Sequence, residues 1–120
     1  RRVATQAEAL RDAFADGAFA AVGAFYSVIH VPAEETPAVY EEFARVLCPG
    51  GIAMVTTGTE DWAGRNDDWL AGGAPMEWDI FGLDRSTAHL EDAGFTVYET
   101  VGVVDGVHQR NRGRSVRNPF

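Results

Sequence analysis

The stretch Phe19-Ala20-Ala21-Val22-Gly23-Ala24-Phe25-Tyr26-Ser27-Val28-Ile29-His30-Val31-Pro32 opens with a run that carries no charge and does not alternate apolar with polar positions. A strand with one wet face alternates; a continuous apolar run ending in a polar turn is the pattern of a strand covered on both faces. Gly23 and Ala24 leave room for helices to pack closely above and below. Toward the carboxyl end Tyr26, Ser27 and His30 come together, and Pro32 stops the run. Ligands of open parallel sheets bind outside the carboxyl ends of the strands. The polar trio therefore stands either at a ligand edge or at the wet end of a core strand.

A helical pattern follows. Thr36 suits an N-cap and Pro37 a first helical position. Val39, Phe43, Val46 and Leu47 then recur at helical spacing as one apolar stripe, with Tyr40, Glu41, Glu42 and Arg45 on the other face. Pro49-Gly50-Gly51 ends the helix, and Ile52 to Thr57 is a second uncharged, β-branched run that reads as a second buried strand. Strand, helix and strand of these lengths predict a right-handed βαβ unit with parallel strands. Upstream, Arg1 to Gln6 reads as the end of a strand, Glu8 to Phe14 as a loop or helical turn, and Asp16-Gly17 as a turn.

Thr59 to Gly82 fits no single period. It holds all three Trp, the acidic pairs Glu60-Asp61 and Asp67-Asp68, and the breakers Gly72-Gly73 and Pro75. It follows the second strand and so lies over the same sheet edge as Tyr26 and His30. This segment reads either as a lid or substrate loop, with Trp62, Trp69, Met76 and Trp78 as substrate contacts, or as a satellite cluster that only packs. Beyond it, Asp84 as N-cap and Gly94 after the last turn bracket a short helix carrying Ala88, Leu90 and Ala93. His89 reads as exposed. Phe95 to Val104 is a third strand with a register change near Thr100. Asp105-Gly106 is a hairpin signal, and Val107 to Phe120 is a polar, Arg-rich returning antiparallel strand or tail. The pattern is α/β, one domain over residues 1–120.

Charge narrows the function. The net charge is −8 and every basic residue is Arg. Residues 1–109 carry 18 acids against 6 Arg, a net of −12, which repels nucleic acid phosphate. Strong acidity without Lys suits a halophilic cytoplasm, where salt screens self-repulsion; an Arg-favouring GC-rich genome would leave the same signature. Cys48 is the only cysteine, so no disulfide framework exists. No apolar run is long enough to span a bilayer and no signal peptide is visible, so a cytoplasmic location is expected. The chain begins at Arg1 rather than Met, which implies something upstream. His30, His89, His108 and Cys48 lack metal-ligand spacing, so no metal is expected. Neither a nucleophile elbow nor a phosphate loop is present.

Four motifs in order carry a resemblance. Phe14-Ala15-Asp16-Gly17-Ala18-Phe19-Ala20-Ala21-Val22 is similar to the "FADGSFDAV" that leads into the fourth strand of class I S-adenosylmethionine-dependent methyltransferases of the small-molecule type. Ser27-Val28-Ile29-His30-Val31, Arg45-Val46-Leu47-Cys48-Pro49-Gly50-Gly51 ("RVLxPGG") and Glu91-Asp92-Ala93-Gly94-Phe95 ("EEAGF") follow at the family's spacing. The resemblance runs from about Gln6 to Val104 and implies the C-terminal portion of a Rossmann-like fold: a mostly parallel sheet, flanking helices and a last antiparallel strand.

It implies S-adenosylmethionine as cofactor. Gln6-Ala7-Glu8-Ala9 falls where the family faces the adenine, which makes Glu8 and the Ala9 N–H cofactor candidates, with Phe25, Tyr26 and Ser27 at the strand end. Phe25 and Tyr26 could face the cationic sulfur, and His30 could take a proton from a small-molecule acceptor. The glycine-rich turn and the ribose-binding acid of the family are absent, Ala20 stands where Asp is usual, and the final strand matches poorly. Binding of the cofactor by this chain alone should therefore be weak. The family's first strand, which flanks the strand at Phe19 to Ile29, is also missing. That edge calls for a cover: an N-terminal half, Arg1–Gln6 folded back, or a second copy in a homodimer. Two rivals are an interaction module that has lost the pocket and half of another α/β nucleotide-binding fold.

Overall fold

The computed structural model describes residues 5–68, 71–104 and 110–117, with 103–104 and 110–117 as backbone. In chain order they form α1 (Gln6–Ala13), β1 (Phe19–Ala24), two single 3-10 turns (Val28–His30 and Ala33–Glu35), α2 (Thr36–Val46), β2 (Leu47–Gly58), β3 (Trp62–Asn66), β4 (Met76–Ile80), α3 (Leu83–Asp92), β5 (Thr96–Val104) and β6 (Arg110–Arg117). The main sheet has the order β1-β2-β6-β5. β1 and β2 are parallel across α2, as the βαβ reading requires. β6 returns antiparallel between β2 and β5.

Helices cover one face of this sheet. Ala53 and Val55 of β2 are fully buried, while Met54 between them is 43% exposed. Alternation in a strand puts these neighbours on opposite faces. The first pair meets α2 and α3 in a core that includes Val39, Tyr40, Phe43, Leu90 and Phe95. A fully buried side chain of Val or Leu size contributes about 1.5–3 kcal/mol, so this face carries the stability.

Several expectations change. Glu8 to Phe14 is no loop: α1 forms because the Thr5 hydroxyl accepts from Glu8 N while the Glu8 carboxylate accepts from Thr5 N, a reciprocal capping box. Thr5 and Gln6 thus belong to this helix start rather than to a strand. In α2, Tyr40 and Glu42 are buried, not solvent-facing. Arg45 explains Glu42: its Nε donates to both carboxylate oxygens (3.0 and 3.1 Å), Nη1 to Asp16 (2.7 Å) and Nη2 to the Leu10 carbonyl. One guanidinium thereby ties α1 and the Asp16-Gly17 turn to α2, and the ion pair removes the penalty of an unpaired buried carboxylate.

β1 stops at Ala24, and its burial is slight over most of its length. It is the end strand of the sheet, so the cover on its far side that a buried strand needs is not supplied by the described residues. Phe25 and Tyr26 are exposed, and Tyr26 has φ 53°, which breaks the strand before the 3-10 turn. Thr59 to Gly82 is more regular than its composition suggests: β3 and β4 form an antiparallel hairpin with Gly64 opposite Trp78. α3 is capped by Gly82, and Asp84 sits in its first turn, where a carboxylate suits the helix dipole. Ala88 is exposed, whereas His89 is half-buried with its ring edge-on to Phe81 at 4.8 Å. Gly94 has φ 100° and closes the helix as expected. The register irregularity of β5 falls between Val97 and Glu99. Asp105-Gly106 lies outside the described residues. The Arg-rich end is no tail, since β6 occupies an interior position in the sheet.

Candidate functional site

A cleft of about 460 Å3 opens beyond the carboxyl end of β1. Thr5, Gln6 and Leu10 of α1 form one side; Ser27, Val28 and His30 of the turn after β1 form the other. Val39 and Phe43 of α2 lie at its base. Polar groups thus rim an apolar interior, within the size range of small-molecule sites. The construction is local: α1 is started by its capping box, the chain leaves β1 at Tyr26 in a left-handed conformation, and Arg45 holds α1 against α2.

The residues singled out in the sequence fall in different places. Ser27 and His30 line the cleft. Phe25 and Tyr26 are 58% and 47% exposed beside β1. The Glu8 carboxylate is bonded to Thr5 N at the start of its own helix, and the Ala9 N–H donates to the Thr5 carbonyl at 3.0 Å. The cleft instead receives Thr5 and Gln6, which the sequence reading passed over. The available signal was the Thr-x-x-Glu spacing: it makes Thr5 the N-cap and Gln6 the first helical residue.

The hairpin meets this turn directly. His30 Nδ1 lies 2.9 Å from the Glu77 carbonyl oxygen. A carbonyl only accepts, so Nδ1 donates, which leaves Nε2 as the basic nitrogen of the neutral ring. The His30 ring lies 5.8 Å from Trp78, and Trp78 lies 5.9 Å from Trp62. Trp62 lies across Gly64, where a Cβ would strike the indole. Met76 is half-buried at the start of β4, and Trp69 lies outside the described residues.

A second pocket, of about 310 Å3, lies between the hairpin and α3 and includes Ala33, Asp61, Trp62, Asp79, Phe81 and Arg85. Arg85 stacks 4.6 Å over Phe81 and donates to Asp61 at 3.3 Å. The Gly82 N–H, 2.7 Å from Asp61 Oδ1, is the main cause holding the Asp61 carboxyl below its ordinary 3.8, with Arg85 adding to it. Among the described residues no group of three or more His, Cys, Asp or Glu is placed to hold a metal ion. No described helix is long and apolar enough to cross a membrane.

Residues 1–55 match the family model described as a methyltransferase domain. The amino-terminal part of the chain is thus similar to a methyltransferase domain. Solved structures show the same fold at low identity. A Methanosarcina mazei S-adenosylmethionine-dependent methyltransferase superposes with a TM-score of 0.76 at 14% identity, over 88% of this chain and 62% of that one. A Burkholderia thailandensis 1,6-didemethyltoxoflavin-N1-methyltransferase, solved with 1,6-didemethyltoxoflavin and S-adenosylhomocysteine, gives 0.69 at 13%, over 92% and 48%. The 4+2 cyclase SpnF gives 0.65 at 21%, over 90% and 52%. The chain thus spans about half to three-fifths of the length of these proteins. No curated protein sequence matches it. The fold and the family resemblance read from the four motifs are borne out.

Proposed function

We propose that this chain supplies the C-terminal half of a site for S-adenosylmethionine-dependent methyl transfer to a small-molecule acceptor. The observation that carries the reading is the cleft beyond the carboxyl end of β1, at the strand end where open α/β sheets take their ligands. Its lining suits the adenine end of the cofactor: Leu10, Val28 and Val39 offer apolar contact to a flat ring, and Thr5, Gln6 and Ser27 offer polar atoms to its edge. When bound, the cofactor supplies a methyl group activated by its sulfonium. The protein's part is to orient and to exclude water. His30 Nε2 is the group to accept a proton from the acceptor where one must leave, and the face of exposed Trp62 is a surface on which a flat acceptor can lie. A cyclase on the same fold is a reminder that the acceptor chemistry belongs to the site and not to the fold.

The test is a titration with S-adenosylhomocysteine followed by amide shifts and calorimetry. The residues present hold one end of the cofactor and supply no glycine-rich turn for the other, so binding should be weaker than micromolar. The amides of Thr5, Gln6 and Ser27 to Val31 should move. Saturating ligand that leaves these amides unmoved refutes the reading.

One observation favours a second reading, an interaction module that pairs with another copy of itself. Among the described residues β1 is an uncharged end strand that begins at Phe19 and is followed by Phe25, which are 37% and 58% exposed. Antiparallel pairing about Val22 would set Phe19 of one copy opposite Phe25 of the other, on a segment free of the repulsion that net charge −8 creates elsewhere. Light scattering should then give a dimer that Phe25→Lys dissociates. A wild-type monomer at high concentration excludes this reading.

A further inference from the structure

The segment 28–35 is a wall between two cavities. His30, Val31, Pro32 and Glu35 face the larger cleft, and Ala33 faces the smaller pocket beside α3. β4 runs along this wall and grips it twice. His30 Nδ1 donates to the Glu77 carbonyl, and the Ala33 N–H donates to Asp79 Oδ2, each at 2.9 Å. Trp78, between the two grips, lies beside the His30 ring. Ala33 begins a 3-10 turn, so its N–H has no partner within that turn; the carboxylate that accepts it comes from 46 residues further along the chain. Grips two residues apart on β4 and three apart on the wall fix both position and register, because a slide along either would lose both bonds.

We propose that Asp79 is a positioning residue: together with His30 it latches the Trp hairpin to the wall of the cleft and so sets where Trp62 and Trp78 stand. What the Trp pair receives rests on the methyl-transfer reading; the latch itself does not. An N–H donated to a carboxylate is stronger than a neutral pair, so Asp79 should contribute more to seating the hairpin than the exposed ion pairs of Arg65 with Asp67 and Glu77 along its length.

The test compares Asp79→Ala with Asp79→Asn in the free chain. Two indoles 5.9 Å apart and tilted by 55° couple their transition dipoles and give an exciton couplet in circular dichroism. Asp79→Ala should raise amide exchange at Ala33 by about tenfold or more, the loss of a hydrogen bond to a charged group, and should diminish the couplet. Asp79→Asn, which keeps an oxygen acceptor, should restore most of both. Wild-type exchange at Ala33 with an unchanged couplet in Asp79→Ala overturns the latch. If that variant fails to fold, His30→Phe, which keeps a ring beside Trp78 and removes the donor, is read in the same way at the couplet. S-adenosylhomocysteine added to the wild type separates the two proposals: unmoved cleft amides alongside the expected couplet changes would remove the methyl-transfer reading and leave the latch standing.

Discussion

Replacing Leu90 by Ala tests the one-sided packing on which the site rests. Leu90 is fully buried in α3 against the face of the sheet that carries Ala53 and Val55. The substitution removes three carbons, about 2.4 kcal/mol of transfer free energy at about 0.8 kcal/mol per methylene. The cavity left behind adds to this, and buried Leu→Ala changes cost about 2.7–5 kcal/mol in all. A loss of about 3–4 kcal/mol is a large share of the roughly 5–15 kcal/mol that holds a domain together. It should lower the melting temperature by roughly 10–15 °C. Met54→Ala is the control, since Met54 lies on the opposite face and is 43% exposed; its cost should stay below about 1 kcal/mol. Urea unfolding followed by circular dichroism gives both values, with an unchanged slope to show that the midpoint shift is a stability change. A cost under about 1 kcal/mol for Leu90→Ala would mean that α3 is not seated on the sheet. An equal cost for Met54→Ala would mean that both faces are covered in solution.

Three further outcomes are expected. The carboxyl of Asp61 titrates below its ordinary 3.8 in the folded chain, so its contribution to stability is present above that value and is lost as pH falls through the lower, folded one; melting from about pH 5 to about pH 2 should fall more steeply for wild type than for Asp61→Asn, and equal slopes would contradict the assignment. Gly94 holds φ 100° with open space where a Cβ would stand, so Gly94→Ala should cost about 1–2 kcal/mol by backbone strain alone, and a neutral effect would show that the helix end can relax. With 18 acids against 10 Arg, the melting temperature should rise between dilute buffer and molar KCl as the charges are screened, and a flat response would remove the argument for salt adaptation.

Much of this protein was determined by sequence patterns that act over a few residues. The uncharged runs at Phe19 and Ile52, the helix between them and Gly94 each encode a local preference strong enough to hold in the folded chain, and their order specifies the βαβ unit. The helix bounds shift, because Glu35 rather than Thr36 takes the cap position and β2 already begins at Leu47, which puts Pro49-Gly50-Gly51 inside the strand rather than at the helix exit. Ser27 and His30 were legible as residues at the strand's carboxyl end, where the cleft opens, because that end is set by the strand itself. The remainder depended on partners distant in the chain. Period alone cannot bury Glu42, because its acceptability inside comes from Arg45 and the neighbouring α1. Nor can it expose β1, because coverage is a property of the strand beside it and not of its own residues. Polar β6 gains an interior place through hydrogen bonds to strands on both sides, which backbone groups make whatever side chains they carry. The grip of Asp79 on Ala33 joins residues 46 apart, and only the tertiary structure decided it, since neither residue's type nor its neighbours encode the other's position.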